Sequence, residues 1–113
     1  MQQFVILMTE NDNAWAKLAE AEQTRLIKLY FAWVGGLHKK KAFVSGDPIG
    51  GGGTVLRRAG GKTVAKPFAA KKDVLTGYFI VKAKNLAAAV SLARGCPALI
   101  HGEAVTVRPL GHM

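Results

Sequence analysis

The sequence has one cysteine, Cys96, and three histidines. A single thiol closes no intramolecular disulfide, and a buried structural thiol is the expectation for it. With no His-x-x-His or Glu-x-x-His spacing there is no ligand cluster, so neither a metal nor any other cofactor is expected. Acids are also scarce: seven Asp/Glu stand against 16 Lys/Arg, for a formal net charge of +9. Long apolar runs are missing. The longest near the start, Phe4 to Met8, is far below the roughly 20 residues of a membrane span. No basic residue precedes it and no small-residue cleavage site follows, so no membrane segment or signal peptide is expected and a cytoplasmic location is. Ser45 and Ser91 lack an elbow context, which removes serine nucleophile chemistry. Gly50 to Gly53 run into Thr54-Val55-Leu56 rather than into a Gly-Lys-Ser/Thr that opens a helix, which removes a phosphate loop.

What is present is a chain for one domain over residues 1–113, half of it hydrophobic and long enough for a core without staples. Its charge is lopsided. Residues 54–113 hold ten Lys/Arg and two acids, a net of +8, whereas residues 1–53 hold six and five, a net of +1. Such a half suits an anionic partner, or simply a solvated surface.

Gln3 to Thr9 is apolar at every position from Phe4 to Met8, the pattern of a central strand covered on both faces. Asp12 or Asn13 is placed to cap a helix over Ala14 to Val34, whose Trp15, Ala19, Leu26, Leu29, Tyr30 and Trp33 form one apolar face. Glu22 falls on that face. Gly35-Gly36 is the expected stop. Ala42 to Ser45 reads as a short strand. Thr54 to Arg58 and Thr63 to Ala65, joined by Gly60-Gly61, read as a hairpin. Pro67 interrupts the chain, a basic segment follows, and Gly77 to Ala83 is a second buried strand. Asn85 caps a helix over Leu86 to Arg94, with Leu86, Val90 and Ala93 inward. Ala104 to Pro109 is the last strand, and Gly111-His112-Met113 is a loose tail.

The stretch from Pro67 to Tyr78 carries a resemblance. Pro67, Phe68, Ala69, Lys72, Gly77 and Tyr78 are similar to the signature of the YCII-related family, in the branch known for an Asp-Gly-Pro-Phe motif. Asp73 stands where that signature ends in Glu. Gly46-Asp47-Pro48, Cys96-Pro97 and Val107-Arg108-Pro109-Leu110 resemble further parts of it, so the match covers nearly the whole chain. Ala65, Lys66, Ala70 and Thr106 stand where the signature has Asp, Gly, Glu and Glu. The resemblance implies an α+β, ferredoxin-like β-α-β-β-β-α-β antiparallel sheet with helices on one face. It also implies that two chains pair their sheets into a dimeric α+β barrel, a homodimer with a ligand cleft between sheet and partner. The order of elements agrees with that fold.

Three functions are compatible with these residues. A small anionic molecule bound in the cleft is the first, with Glu22, Lys66, Phe68, Lys72, Tyr78 and Arg108 as candidate ligand-binding residues. The second is an enzyme of the dimeric barrel type, a lyase, isomerase or dehydrochlorinase on a small cyclic or aromatic substrate. His38, Asp47 or Asp73 would be its base. The third is a nucleic-acid or regulatory-protein partner, for which Phe68, Tyr78 and Phe79 beside Lys66, Lys71 and Lys72 could supply stacking and charge.

Overall fold

A computed structural model describes residues 1–111; the tail residues His112 and Met113 lie outside the described residues. The elements run β1 (Gln2–Glu10), α1 (Glu20–Lys39), β2 (Phe43–Pro48), β3 (Thr54–Ala59), β4 (Lys62–Pro67), β5 (Val74–Ala83), α2 (Leu86–Ala93), a 3-10 turn (Pro97–Leu99) and β6 (Ala104–Pro109). The main sheet has the order β2-β5-β1-β6 with every neighbour antiparallel. This is the ferredoxin-like α+β arrangement. Strands β3 and β4 pair only with each other, in a separate two-stranded sheet. The expected order counted three strands between the helices; there are four, because the hairpin is an insertion between β2 and β5 and contributes both its strands.

Both helices lie on one face of the sheet. Phe4 and Ile6 of β1 and Val81 and Ala83 of β5 point into them and meet Leu37 of α1 with Ala89 and Ala93 of α2. Trp33 locks the two helices together. Its ring stands edge-on to Phe79 at 4.9 Å, and its indole N–H donates to the Leu92 carbonyl at 3.1 Å. The expectation that β1 is covered on both faces is not met. Phe4, Ile6 and Met8 are buried, but Val5 and Leu7 are only half-buried on a face that no element covers. The helices are too few to cover two faces, so the apolar run serves one core face and one open face.

The first helix is also displaced. It starts at Glu20, not Ala14, and ends at Lys39, not Val34. Asp12 and Asn13 adopt left-handed φ values of 53° and 56° and so do not cap it. The Trp15 N–H donates to the Glu10 carboxylate at 2.8 Å, and the Gln23 amide donates to the Trp15 carbonyl at 2.8 Å. These bonds hold residues 11–18 as a series of turns despite their helix-forming composition. At the other end α1 runs through Gly35-Gly36. Burying Leu37 is worth about 1.5–3 kcal/mol, which offsets about 1 kcal/mol for each glycine. The stop comes at Lys41, left-handed at φ 57°. There the Lys41 N–H donates to the His38 carbonyl and the Ala42 N–H to the Leu37 carbonyl, a Schellman closure made without glycine.

Helix α2 begins as expected. The Asn85 side chain accepts from the Ala88 N–H at 2.9 Å. Its buried positions are Ala89 and Ala93, while Leu86 is exposed, so the inward face is rotated from the expected one. Cys96 is buried as expected, and burial pushes its thiol up to about 11. No helix among the described residues is long and apolar enough to cross a membrane.

Candidate functional site

Four residues that are far apart in sequence meet at one end of the main sheet: Tyr30 of α1, Thr76 of β5, and His101 and Glu103 just before β6. The 3-10 turn closes through Ile100 N–H to the Pro97 carbonyl, and the Glu103 N–H donates to the Ala98 carbonyl. Gly102 between them sits at φ 86°, a conformation that L side chains rarely adopt, and this turns His101 and Glu103 inward together. On the facing strand the β1–β5 register slips between Met8 and Thr9, leaving Thr76 as the extra residue of a β-bulge. The bulge aims the Thr76 hydroxyl at both the Met8 carbonyl, 3.2 Å away, and the Glu103 carboxyl, to which it is hydrogen-bonded.

His101 stands between the carboxyl and a phenol. Its Nδ1 is 3.2 Å from Glu103 Oε2, and its Nε2 is 3.1 Å from the Tyr30 hydroxyl. The side chains of His101 and Glu103 are 2% and 3% exposed, so this is ionisable chemistry inside the protein. The Nδ1 approach is close but off-axis, and Nδ1 makes no well-formed hydrogen bond. Trp15 covers the imidazole edge-on, its ring centre 5.3 Å away.

Burial is the main cause that raises the Glu103 pKa. Glu10 nearby raises it further, while the Thr76 hydroxyl and His101 act the other way. A protonated Glu103 also solves a counting problem. Thr76 has one hydroxyl proton and two acceptors within reach. If Glu103 donates to Thr76 Oγ1, Thr76 is free to donate to the Met8 carbonyl. Oε2 then faces Nδ1 at 3.2 Å, and Nε2 lies 3.1 Å from the Tyr30 hydroxyl. Burial likewise pushes the Tyr30 phenol well above its ordinary range, so its proton stays on. The result is a buried row of polar contacts that runs from Tyr30 through His101 and Glu103 to Thr76 and the Met8 carbonyl.

The residues singled out from the sequence lie elsewhere, with one exception. Glu22 is on the rim: it is hydrogen-bonded and ion-paired with Arg25 at 2.6 Å, which lowers its pKa. His38 is exposed at the end of α1, its ring 4.4 Å from Phe43. Asp47 is exposed on β2, directly opposite Tyr78 on the uncovered sheet face. Asp73 is exposed before β5 at φ 51°, its N–H donating to the Asn11 side chain at 2.7 Å. The three candidate bases are therefore on three separate surfaces. Lys66 lies on the hairpin, facing a concavity of about 350 Å³ that Arg57 and Arg58 also line. Phe68 closes the base of the hairpin, its N–H donating to the Gly53 carbonyl at 2.8 Å. Lys72 is exposed in the following loop, and Arg108 is exposed on β6 opposite Val5. A second concavity, of about 270 Å³, lies between α2 and β6. Neither concavity is lined by His101.

A model of the YCII-related domain matches residues 2–110. The chain belongs to the YCII-related domain family. Among curated proteins none matches it. The match covers the strands, both helices and the hairpin, and it assigns no role to His101.

The Tyr30–His101–Glu103 group was not legible as a site. Tyr30 reads as part of the apolar stripe of α1, and Thr76 as an ordinary strand residue. The available signal was Glu103 itself. It is one of two acids in residues 54–113, two positions from a histidine, and it opens a strand where burial is expected.

Proposed function

We propose that this YCII-like protein is an acid–base catalyst acting on a small molecule, with His101 as the group that moves the proton. The observation that carries this reading is the buried chain Tyr30–His101–Glu103–Thr76. A general base needs a neutral imidazole held in one tautomer by a partner on its other nitrogen. Glu103 Oε2, 3.2 Å from Nδ1, is placed to be that partner. Tyr30 occupies the nitrogen a substrate would use, and its hydroxyl is the natural stand-in for a substrate C–H or O–H. Hydrogen bonds of this kind are often loose before substrate binds, which fits the off-axis Nδ1 contact. Trp15 stands edge-on to the imidazole, and in this reading it moves for a substrate to reach the ring. Proton abstraction next to a carbonyl, as in an isomerase or lyase, needs no group beyond these.

The test is proton exchange. A panel of small cyclic ketones, lactones and their carboxylates is incubated in D2O and followed by proton NMR. The protein is expected to speed deuterium uptake into at least one of them, and His101→Asn to remove that activity while the fold persists. Uptake that is identical in the His101→Asn protein would end this reading.

A second reading is supported by the hairpin. Arg57, Arg58 and Lys66 line the concavity of about 350 Å³, which has no acid among its lining residues, a setting for a small anion such as a carboxylate. Calorimetric titration of a di- or tricarboxylate into the protein and into an Arg57→Ala, Arg58→Ala variant tests it. Equal heats for both would count against it. Self-pairing through the uncovered sheet face, where Val5, Leu7, Tyr78 and Ile80 lie side by side, fits both readings.

A further inference from the structure

The hairpin β3–β4 leaves the body of the protein and packs on nothing. Of its residues only Val55 is even half-buried, and Leu56 is 65% exposed. A two-stranded hairpin alone in water is marginal at best. Val64 and Phe68 are exposed with it. The molecule is correspondingly extended. Its radius of gyration is 16.0 Å, against about 13 Å for a compact chain of this length. Its accessible surface is 7928 Å², against about 6,000 Å² for a folded monomer of its mass. The excess of about 1,900 Å² is of the order that one subunit contributes to an obligate homodimer, about 1,000–2,500 Å².

The other uncovered apolar surface is the open face of the main sheet. Val5 and Ile80 are directly paired there, as are Leu7 and Tyr78, with Thr106 and Arg108 beside them on β6. Asp47, opposite Tyr78, is the one acid among the strand residues of that face. The hairpin strands carry four cations, Arg57, Arg58, Lys62 and Lys66, and no acid. Six residues of strand extend about 20 Å, enough to cross four strands spaced about 4.8 Å apart.

We infer that the β3–β4 hairpin is an exchanged arm: it lies across the open sheet face of a second copy of this chain, and that copy's arm returns the contact. The inference rests on the self-pairing stated above and adds what seals it. Leu56 and Val64, on opposite faces of the arm, cannot both meet the sheet, so one contacts Leu7 and Ile80 of the second copy and the other closes against that copy's arm. An arm cation meets Asp47. Exposed apolar side chains on both surfaces favour a protein partner over a nucleic acid, which would be met by charge alone.

Two measurements test this. The first is sedimentation of the wild-type protein and of the Leu56→Asp, Val64→Asp variant, whose changes touch only exposed positions. The expected result is a wild-type dimer and at least a tenfold higher dissociation constant for the variant. The second is paramagnetic broadening in mixed dimers, made by co-refolding isotope-labelled wild-type chain with unlabelled Thr63→Cys chain carrying a spin label; Cys96 is buried and does not compete. Broadening is expected at Val5, Leu7, Tyr78 and Ile80 of the labelled chain. A wild-type monomer would overturn the self-pairing and the arm together. A dimer with unchanged affinity in the variant, or with broadening away from the open face, would overturn the arm alone. A monomer whose arm binds duplex DNA with a steep salt dependence would hand the arm to nucleic acid and overturn the inference.

Discussion

His101 Nδ1 lies 3.2 Å from Glu103 Oε2, with both side chains sealed from solvent by the same end of the sheet. The response of this end of the sheet to pH follows from the direction in which burial shifts Glu103.

Burial raises the Glu103 pKa in the folded state. Between its unfolded and folded values the native state therefore holds the proton that the unfolded state has released. Stability from this group is full below the unfolded value, about 4.3, and is lost as pH rises through the folded one. The slope cannot exceed about 1.4 kcal/mol per pH unit for one proton. Urea unfolding of wild type and Glu103→Gln from pH 4 upward checks this. The wild type is expected to lose ground to the variant as pH rises. A difference independent of pH would mean that folding does not shift the Glu103 pKa.

Trp15 shields the imidazole. In Trp15→Ala, carbethoxylation of His101, followed by peptide mass spectrometry, is expected to speed up about tenfold or more, with exposed His38 serving as an unchanged internal reference. Equal rates at His101 in both proteins would mean that Trp15 does not control access.

Gly46 is required by the core. A Cβ at this position would collide with the Phe79 ring and sit 2.8 Å from the Tyr78 carbonyl, which is backbone and cannot step aside. Overpacking of this kind costs about 1–3 kcal/mol, so Gly46→Ala is expected to fall at or above the top of that range in denaturant melts. Gly35→Ala, with nothing within 4 Å, is the control and is expected to stabilise α1 by up to about 1 kcal/mol.

Trp33→Phe removes the N–H that meets the Leu92 carbonyl and weakens the edge contact with Phe79. The orphaned carbonyl and the lost contact together are expected to cost about 1–3 kcal/mol, read from thermal or urea unfolding.

The scaffold was largely legible because its signals are local. Alternation placed β6, Gly60-Gly61 placed the hairpin turn, and Asn85 placed the start of α2. Helix α1 was misjudged where a tertiary bond overrides propensity: the Glu10 carboxylate takes the Trp15 N–H and holds back the first turn. Its end was misjudged because Lys41 supplies a left-handed closure usually left to glycine. The site was illegible because Tyr30 is 71 residues from His101 and Thr76 is 27 from Glu103, with Thr76 placed by a bulge, which leaves no periodic trace.

The most direct test of the central claim is the tautomer of His101, read from the two imidazole nitrogens by long-range proton–nitrogen NMR near neutral pH. The expected result is a ring with the proton on Nδ1 and a bare Nε2 that accepts from Tyr30, a pattern lost in Glu103→Ala. A proton on Nε2 instead, with Nδ1 bare, would show that Glu103 does not orient the ring and that the buried chain is not a proton relay.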